Sequence, residues 1–233
     1  MPTAGTFFAV GIGAGDPLDM TLRARQTLEH ADAIVAPVKA AGASSVAYDI
    51  AAQAADIRKI PVIHLVFPMR YAIDYRQHLQ SGILQPVCDL LDAGKNVAMI
   101  TLGDVSIYST AAYARHVLAE QGYLTEVIAG VPSFCAAAAK AQCSLCENQE
   151  SLLILSGTVT PESVTQALAK ADNVVLMKAR RALPWLLPLL EQRNLLETTQ
   201  MFCNVGMEHE YIGSPHFEAD SYFTTLLIQQ RRK

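Results

Sequence analysis

The sequence predicts two α/β domains, the first built on a mainly parallel sheet and the second on a mixed one. Three observations carry this expectation. In the first half, short apolar runs of β character alternate with amphipathic helical patterns, which implies parallel pairing with helices on the sheet faces. Two of those runs end in glycine-and-acid junctions that open helices, Gly11 to Asp16 and Gly103-Asp104. From Ser151 onward four apolar runs recur, and the last two are joined by a loop containing Gly206, Gly213 and Pro215 without a long helical pattern, so that pair is expected to be antiparallel.

Taken in order, Phe7 to Val10 reads as a strand, Leu18 to Ala31 as a helix, and Ala33 to Ala36 as a second strand ending at Pro37. Gly42 to Ala55 is helical, entered through Ser44 and Ser45, with Ala47, Ile50, Ala51 and Ala54 on one face. Ile57 to Phe67 is strand-like, broken by Pro61 and stopped by Pro68. Tyr71 to Ala93 carries a long helical pattern that Gly94 ends. Val97 to Leu102 is a strongly apolar strand. Thr110 to Gln121 is a helix ended by Gly122, Thr125 to Ile128 a strand, and Phe134 to Ala141 an alanine-rich helix. In the second half the expected strands are Leu152 to Leu155, Val174 to Met177, Met201 to Val205 and Tyr222 to Ile228. Helices beginning at Pro161 and spanning Pro184 to Arg193 separate the first three. A domain boundary is expected between Leu118 and Thr125, dividing the chain into residues 1–120 and 121–233.

The opening loop, Gly11-Ile12-Gly13-Ala14-Gly15-Asp16-Pro17, stands where a dinucleotide-binding turn would stand. Its spacing argues otherwise. A pyrophosphate cradle needs Gly-x-Gly-x-x-Gly with the anion on the helix N-terminus, whereas here the glycines alternate and the sixth residue is acidic. Asp16 reads as an N-cap and Pro17 as the first helical residue, so a carboxylate takes the place a phosphate would need. The loop suits a ligand without phosphate, or the close packing of a second segment. The junction at Gly103-Asp104 follows another parallel strand, and the carboxyl ends of such strands are where these sheets bind ligands.

With 233 residues, 51% hydrophobic and 17% charged, the chain can bury a substantial core. A formal charge of -4 provides no basic footprint for nucleic acid or an anionic membrane. No apolar run reaches membrane-spanning length and the N-terminus lacks the regions of a signal peptide, so the expected location is the cytoplasm. The five cysteines are Cys88, Cys135, Cys143, Cys146 and Cys203. They include one C-x-x-C without a second pair or a histidine at ligand spacing, so no metal site is expected.

Several ordered stretches resemble the tetrapyrrole methylases, the S-adenosylmethionine-dependent enzymes that decorate corrin and sirohaem precursors. G-I-G-A-G-D-P-L-D-M-T-L-R-A is similar to the family's first signature, T-L-G-D-V-S-I-Y-S-T to its Gly-Asp segment, and V-I-A-G-V-P-S to its Pro-Gly-Val-x-Ser turn. V-V-L-M-K and Y-F-T-T-L-L-I correspond to two strands of its second domain. Ala14, Val105 and Ala129 stand where the family carries proline. Pro37-Val38-Lys39, Met177-Lys178 and the Tyr-Phe-Thr ending most resemble the members that methylate precorrin-2 at C20.

The resemblance implies the tetrapyrrole methylase fold of the class III methyltransferases, with a ligand cleft between the two domains, and S-adenosylmethionine as methyl donor. It implies that Leu102, Gly103, Asp104, Ile107, Tyr108, Pro132, Ser133, Met177, Gly206, Thr224 and Thr225 contact the donor. Gly13, Gly15, Asp16, Lys39 and Lys178 would lie against the tetrapyrrole, on whose carboxylates Arg70, Arg76, Arg180 and Arg181 are further candidates. A homodimer acting on a small-molecule substrate, without nucleic acid or membrane, is implied as well. The catalytic residue stays open: Tyr108, Asp104 and His209 are candidates for a base that removes a proton after transfer. Two alternatives also stay open, methylation at another position such as C11 or C17, and a non-catalytic module that binds S-adenosylmethionine or a nucleotide.

Overall fold

The computed structural model describes residues 4–67, 78–157 and 159–230. The chain forms two compact units, residues 1–132 and 133–233, each organised around a five-stranded sheet.

In the first unit the strands are β1 (Thr6–Gly11), β2 (Ala33–Val38), β3 (Val62–Val66), β4 (Val97–Thr101) and β5 (Leu124–Ile128), in the order β3-β2-β4-β1-β5. Every pairing is parallel, with Gly11 beside Thr101 and Val10 beside Ile128. The described helices are α1 (Leu22–Glu29), α2 (Val46–Ala54), α3 (Gln85–Asp92) and α4 (Thr110–Glu120). One sheet face buries Phe7, Ala9, Val35, Val97 and Met99 against Val87 and Leu91 of α3 and Ala114, Val117 and Leu118 of α4. The alternate residues Ile34, Ala98 and Ile100 are equally buried. Central strands covered on both faces explain why V-A-M-I-T reads as a continuous apolar run rather than an alternating one.

The second unit holds α5 (Ser133–Lys140), β6 (Leu152–Ser156), α6 (Pro161–Lys170), β7 (Asn173–Met177), α7 (Leu183–Gln192), β8 (Thr199–Cys203), β9 (Tyr211–Gly213) and β10 (Thr224–Gln229). The order is β6-β7-β10-β8-β9. β6 and β7 are parallel, while β10 runs antiparallel to both β7 and β8. Val174, Leu176, Met201, Leu226 and Ile228 pack on one face against Val164 and Leu168 of α6 and Leu186 and Leu190 of α7. Thr160 caps α6 in a reciprocal capping box with Ser163, and Pro161 takes the first helical position.

Four sequence expectations need correction. The helix expected over Leu18 to Ala31 is two pieces: Asp16 caps a single 3-10 turn (Pro17–Asp19), the chain straightens at Met20, and Thr21 caps α1 through the Ala24 amide. Leu18, in the 3-10 turn, and Leu22, at the start of α1, are 91% and 79% exposed. The long pattern over Tyr71 to Ala93 lies partly outside the described residues. Within them it breaks at Gly82, whose φ of 95° no continuous helix accepts, and α3 follows. The boundary between the compact units lies at Pro132 rather than near Thr125, because β5 pairs with β1 along its length and so belongs to the first sheet. Finally, the short strand β9 pairs with β8 in the second sheet, where no strand was expected.

Candidate active site

Two separate groups of residues stand out, one at the carboxyl end of each sheet. In the first unit three glycines meet backbone to backbone. A Cβ on Gly130 would lie 2.2 Å from the Gly103 carbonyl oxygen, and one on Gly11 would lie 2.7 Å from the same oxygen. Gly13 and Gly103 exchange hydrogen bonds in both directions, Gly13 N–H donating at 3.3 Å and Gly103 N–H donating at 2.7 Å. Ile12 N–H donates to Thr101 O at 3.0 Å. The Ile12 and Gly13 amides, which a phosphate-binding loop would present, are therefore spent on the end of β4 and the residue pair that follows it. Asp16 completes the exclusion, its carboxylate accepting the Leu18 amide at 2.9 Å. Of the two uses read for this loop, the structure shows the close packing of a second segment.

Asp104 ties that packing together. One carboxylate oxygen accepts Gly130 N–H at 2.8 Å; the other accepts Ser106 N–H at 2.8 Å and also the Ser106 hydroxyl. Burial pushes the Asp104 carboxyl upward. The Ser106 hydroxyl and the amides of Gly130, Ser106 and Val105 outweigh it and hold the group below the ordinary carboxylate value. A carboxylate so engaged is a clamp on the β4 junction and a weak base. Leu102 and Ile107 are half-buried on the same junction, and Tyr108, half-exposed at φ 49°, precedes the α4 cap Ser109. A non-glycine residue in that region is strained, and such outliers cluster at functional sites.

In the second unit the carboxyl ends of β6, β7 and β8 and the start of β10 lie at one end of the sheet. Met177 pairs with Thr225, and Thr225 also pairs with Phe202. These three share the face opposite the one packed by α6 and α7, since side chains alternate along each strand. Thr224 faces the other way. It is fully buried, its hydroxyl donates to Ser221 O at 2.7 Å, and it lies 3.5 Å from Cys203 Sγ. Lys178 follows Met177 at φ 57°, its ammonium 5.7 Å from the centre of the Tyr222 ring. A Cβ on Gly157 would come within 1.9 Å of Lys178 O, which explains why glycine follows β6.

The loop leaving β8 is held by side chains. Asn204, at φ 51°, donates its backbone N–H to Phe223 O at 3.2 Å and its carboxamide N–H to His209 O at 3.2 Å, and it accepts the Ser221 hydroxyl at 2.5 Å. Gly206, at φ 73°, donates its N–H to Glu210 Oε2 at 2.6 Å, and Lys140 of α5 donates to the same oxygen at 2.8 Å.

The sequence-predicted donor residues thus fall into two sets. Leu102, Gly103, Asp104, Ile107 and Tyr108 form one junction, and Met177, Gly206 and Thr225 lie at one end of the second sheet, where Thr224 shows its hydroxyl engaged internally. Pro132 ends the first unit and Ser133 begins α5. Among the expected substrate residues, Gly13, Gly15 and Asp16 are in the opening loop, Gly13 and Gly15 buried, and Lys39 is exposed past β2. Arg180 pairs with Asp220. Arg70 and Arg76 lie outside the described residues. The candidate base His209 is exposed and sits 3.6 Å from Glu208. Sequence reasoning missed Gly130, Asn204, Ser221 and Glu210. Gly130 was legible as part of a turn motif; the other three reach their partners across loops and leave no local pattern.

The chain matches the family model for Tetrapyrrole (Corrin/Porphyrin) Methylases over residues 6–218. A cobalt-precorrin-2 C(20)-methyltransferase of Salmonella typhimurium is 29% identical over 233 residues, 97% of this chain and 97% of that protein. A protein of Methanocaldococcus jannaschii with the name "Probable cobalt-precorrin-2 C(20)-methyltransferase" is 32% identical over 173 residues, 74% of this chain and 72% of its own length. Among solved structures, the uroporphyrin-III C-methyl transferase of Thermus thermophilus complexed with S-adenyl homocysteine shares the fold with a TM-score of 0.70 at 15% identity, over 97% of this chain and 98% of that one. With a full-length sequence match and the same architecture, this chain belongs to the tetrapyrrole (corrin/porphyrin) methylase family.

Proposed function

We propose that this protein is an S-adenosylmethionine-dependent methyltransferase that methylates precorrin-2 or cobalt-precorrin-2 at C20, a step of cobalamin biosynthesis. The observation that carries the reading is the likeness to the Salmonella C(20)-methyltransferase, which runs through 97% of both chains.

The residues present fit such a donor. S-adenosylmethionine carries no phosphate, in keeping with an opening loop whose Ile12 and Gly13 amides are spent and whose Asp16 carboxylate already accepts the Leu18 amide. When bound, the donor supplies an electrophilic methyl group on a sulfonium. The protein's part is to place that group in line with a nucleophilic carbon and to keep water out. In the first unit we assign Leu102, Gly103, Ile107 and Tyr108 to the donor, with Asp104 holding their junction in shape. In the second unit we assign Met177, Thr225 and Gly206, with Ser133 and Pro132 at the start of α5. The apolar pair Met177–Phe202 around the Thr225 hydroxyl suits a flat, partly polar ligand. Lys39 and Lys178 are assigned to the carboxylates of the tetrapyrrole.

Cytoplasmic location and a homodimer belong to the same reading. No helix among the described residues is long and apolar enough to cross a membrane, and light scattering on purified protein reads the oligomeric state. The decisive experiment incubates the protein with methyl-labelled S-adenosylmethionine and reduced precorrin-2, with and without cobalt. Label at C20 of the macrocycle is expected. Label at C11 or C17 would move the assignment within the family. No label, with S-adenosylhomocysteine still bound, would leave a binding module.

A further inference from the structure

The Gly206 turn is a donor-assigned segment of the second unit that lies in a loop, and its shape is set largely by side chains on either side of it. Asn204 opens the turn in the left-handed region, and Met207 N–H donates to Asn204 O at 2.8 Å. Gly206 follows at φ 73°, in the left-handed region that favours glycine. That N–H is taken by Glu210 Oε2 at 2.6 Å, and the same oxygen receives Lys140 Nζ at 2.8 Å. Lys140 stands in the last turn of α5. The Gly206 amide first and the Lys140 ammonium second hold the Glu210 carboxyl below its ordinary value, so the group stays anionic through neutral pH.

Two consequences follow from elementary chemistry. A charge-assisted bond at this distance fixes the Gly206 peptide plane more firmly than a water could. With its N–H consumed, Gly206 itself has only its carbonyl oxygen left to present, so a ligand meets an acceptor at this residue.

We propose that Glu210, braced by Lys140, is a positioning residue for the methyl donor, holding the Gly206 peptide so that its carbonyl face is presented in one orientation. This rests on the assignment of Gly206 to the donor under the proposed function. The pair is half-exposed, so its contribution to global stability is small, and its effect is read in ligand affinity.

The test is titration calorimetry with S-adenosylhomocysteine on the full chain and on Glu210→Ala, Glu210→Gln and Lys140→Met, with thermal midpoints of the ligand-free proteins. Glu210→Ala is expected to weaken affinity about tenfold and to raise KM for the donor with kcat held. Glu210→Gln, which keeps an acceptor for the Gly206 amide, is expected to stay within about threefold of the parent, with Lys140→Met close to it. Ligand-free midpoints should agree within about 2 °C. Parent-like affinity in Glu210→Ala would overturn the positioning role, as would an equal loss in Glu210→Gln. Failure of the parent itself to bind S-adenosylhomocysteine would instead overturn the donor assignment on which the role rests.

Discussion

The two sheets end in junctions of opposite construction. In the first unit the backbone does most of the shaping: Gly11 and Gly130 approach the Gly103 carbonyl so closely that neither has room for a Cβ, Gly13 and Gly103 exchange amide hydrogen bonds, and the Gly130 amide goes to Asp104. In the second unit side chains do it, with Asn204, Ser221 and Glu210 tying loops by carboxamide, hydroxyl and carboxylate. The difference follows from topology. Parallel strands β1, β4 and β5 all end at the same edge and bring their loops into one crowded place. In the mixed sheet β10 enters where β7 and β8 leave, so the loops spread apart and need longer side chains to reach one another. A backbone-built junction should tolerate almost no substitution, and a side-chain-built one should tolerate conservative changes.

Gly130→Ala tests this most severely. Its Cβ would meet the Gly103 carbonyl at 2.2 Å, and the expected loss is about 3 kcal/mol or more, read as the urea midpoint. Gly42→Ala is the control: nothing lies within 4 Å and only its φ of +76° opposes a side chain, so about 1 kcal/mol is expected. Equal losses would mean that the crowding around Gly130 relaxes cheaply, since Gly130 itself is not in the left-handed region.

Next in size is Asp104→Ala, which strands the Gly130 amide and should cost about 2 kcal/mol. Asp104 also has a definite pH signature. Its carboxyl in the folded protein lies below the ordinary value, so its stabilisation is present above the unfolded-state pKa of about 4 and is lost as pH falls through the lower, folded value. Acid unfolding of the parent and of Asp104→Asn should show a stability gap at neutral pH that closes on the acid side. A gap independent of pH would remove the charge from the argument.

The smallest effects separate two adjacent threonines. Thr224→Val loses an internal hydrogen bond and should cost about 1 kcal/mol in stability with unchanged affinity for S-adenosylhomocysteine. Thr225→Val should leave stability within about 0.5 kcal/mol and weaken that affinity severalfold. The reverse pattern would mean that the face assigned to the donor is the wrong one.

Much of this was legible in the residues. The apolar runs located nine of the ten strands among the described residues, and Asp16 beside Pro17 announced a capped turn, because capping and strand burial are decided within a few residues. Helix continuity was less legible. The periodicity of residues 18–31 ignores that Asp16 and Thr21 each cap their own turn, and two caps five residues apart permit only a break. The β5 boundary was hidden for a different reason, since nothing in L-T-E-V-I states which sheet it joins.

By itself, then, the sequence determined the α/β class, the two glycine-acid junctions and the family. These depend on local periodicity, on glycine's freedom and on ordered motifs. Only the tertiary structure decided that Gly130 closes against Gly103, that Asp104 is a clamp, that Thr224 turns inward while Thr225 pairs with Met177, and that Glu210 takes the Gly206 amide. Those facts depend on strand order, register and contacts between residues distant in the chain. A one-residue change of register reverses which threonine faces the core, and no local pattern records that choice.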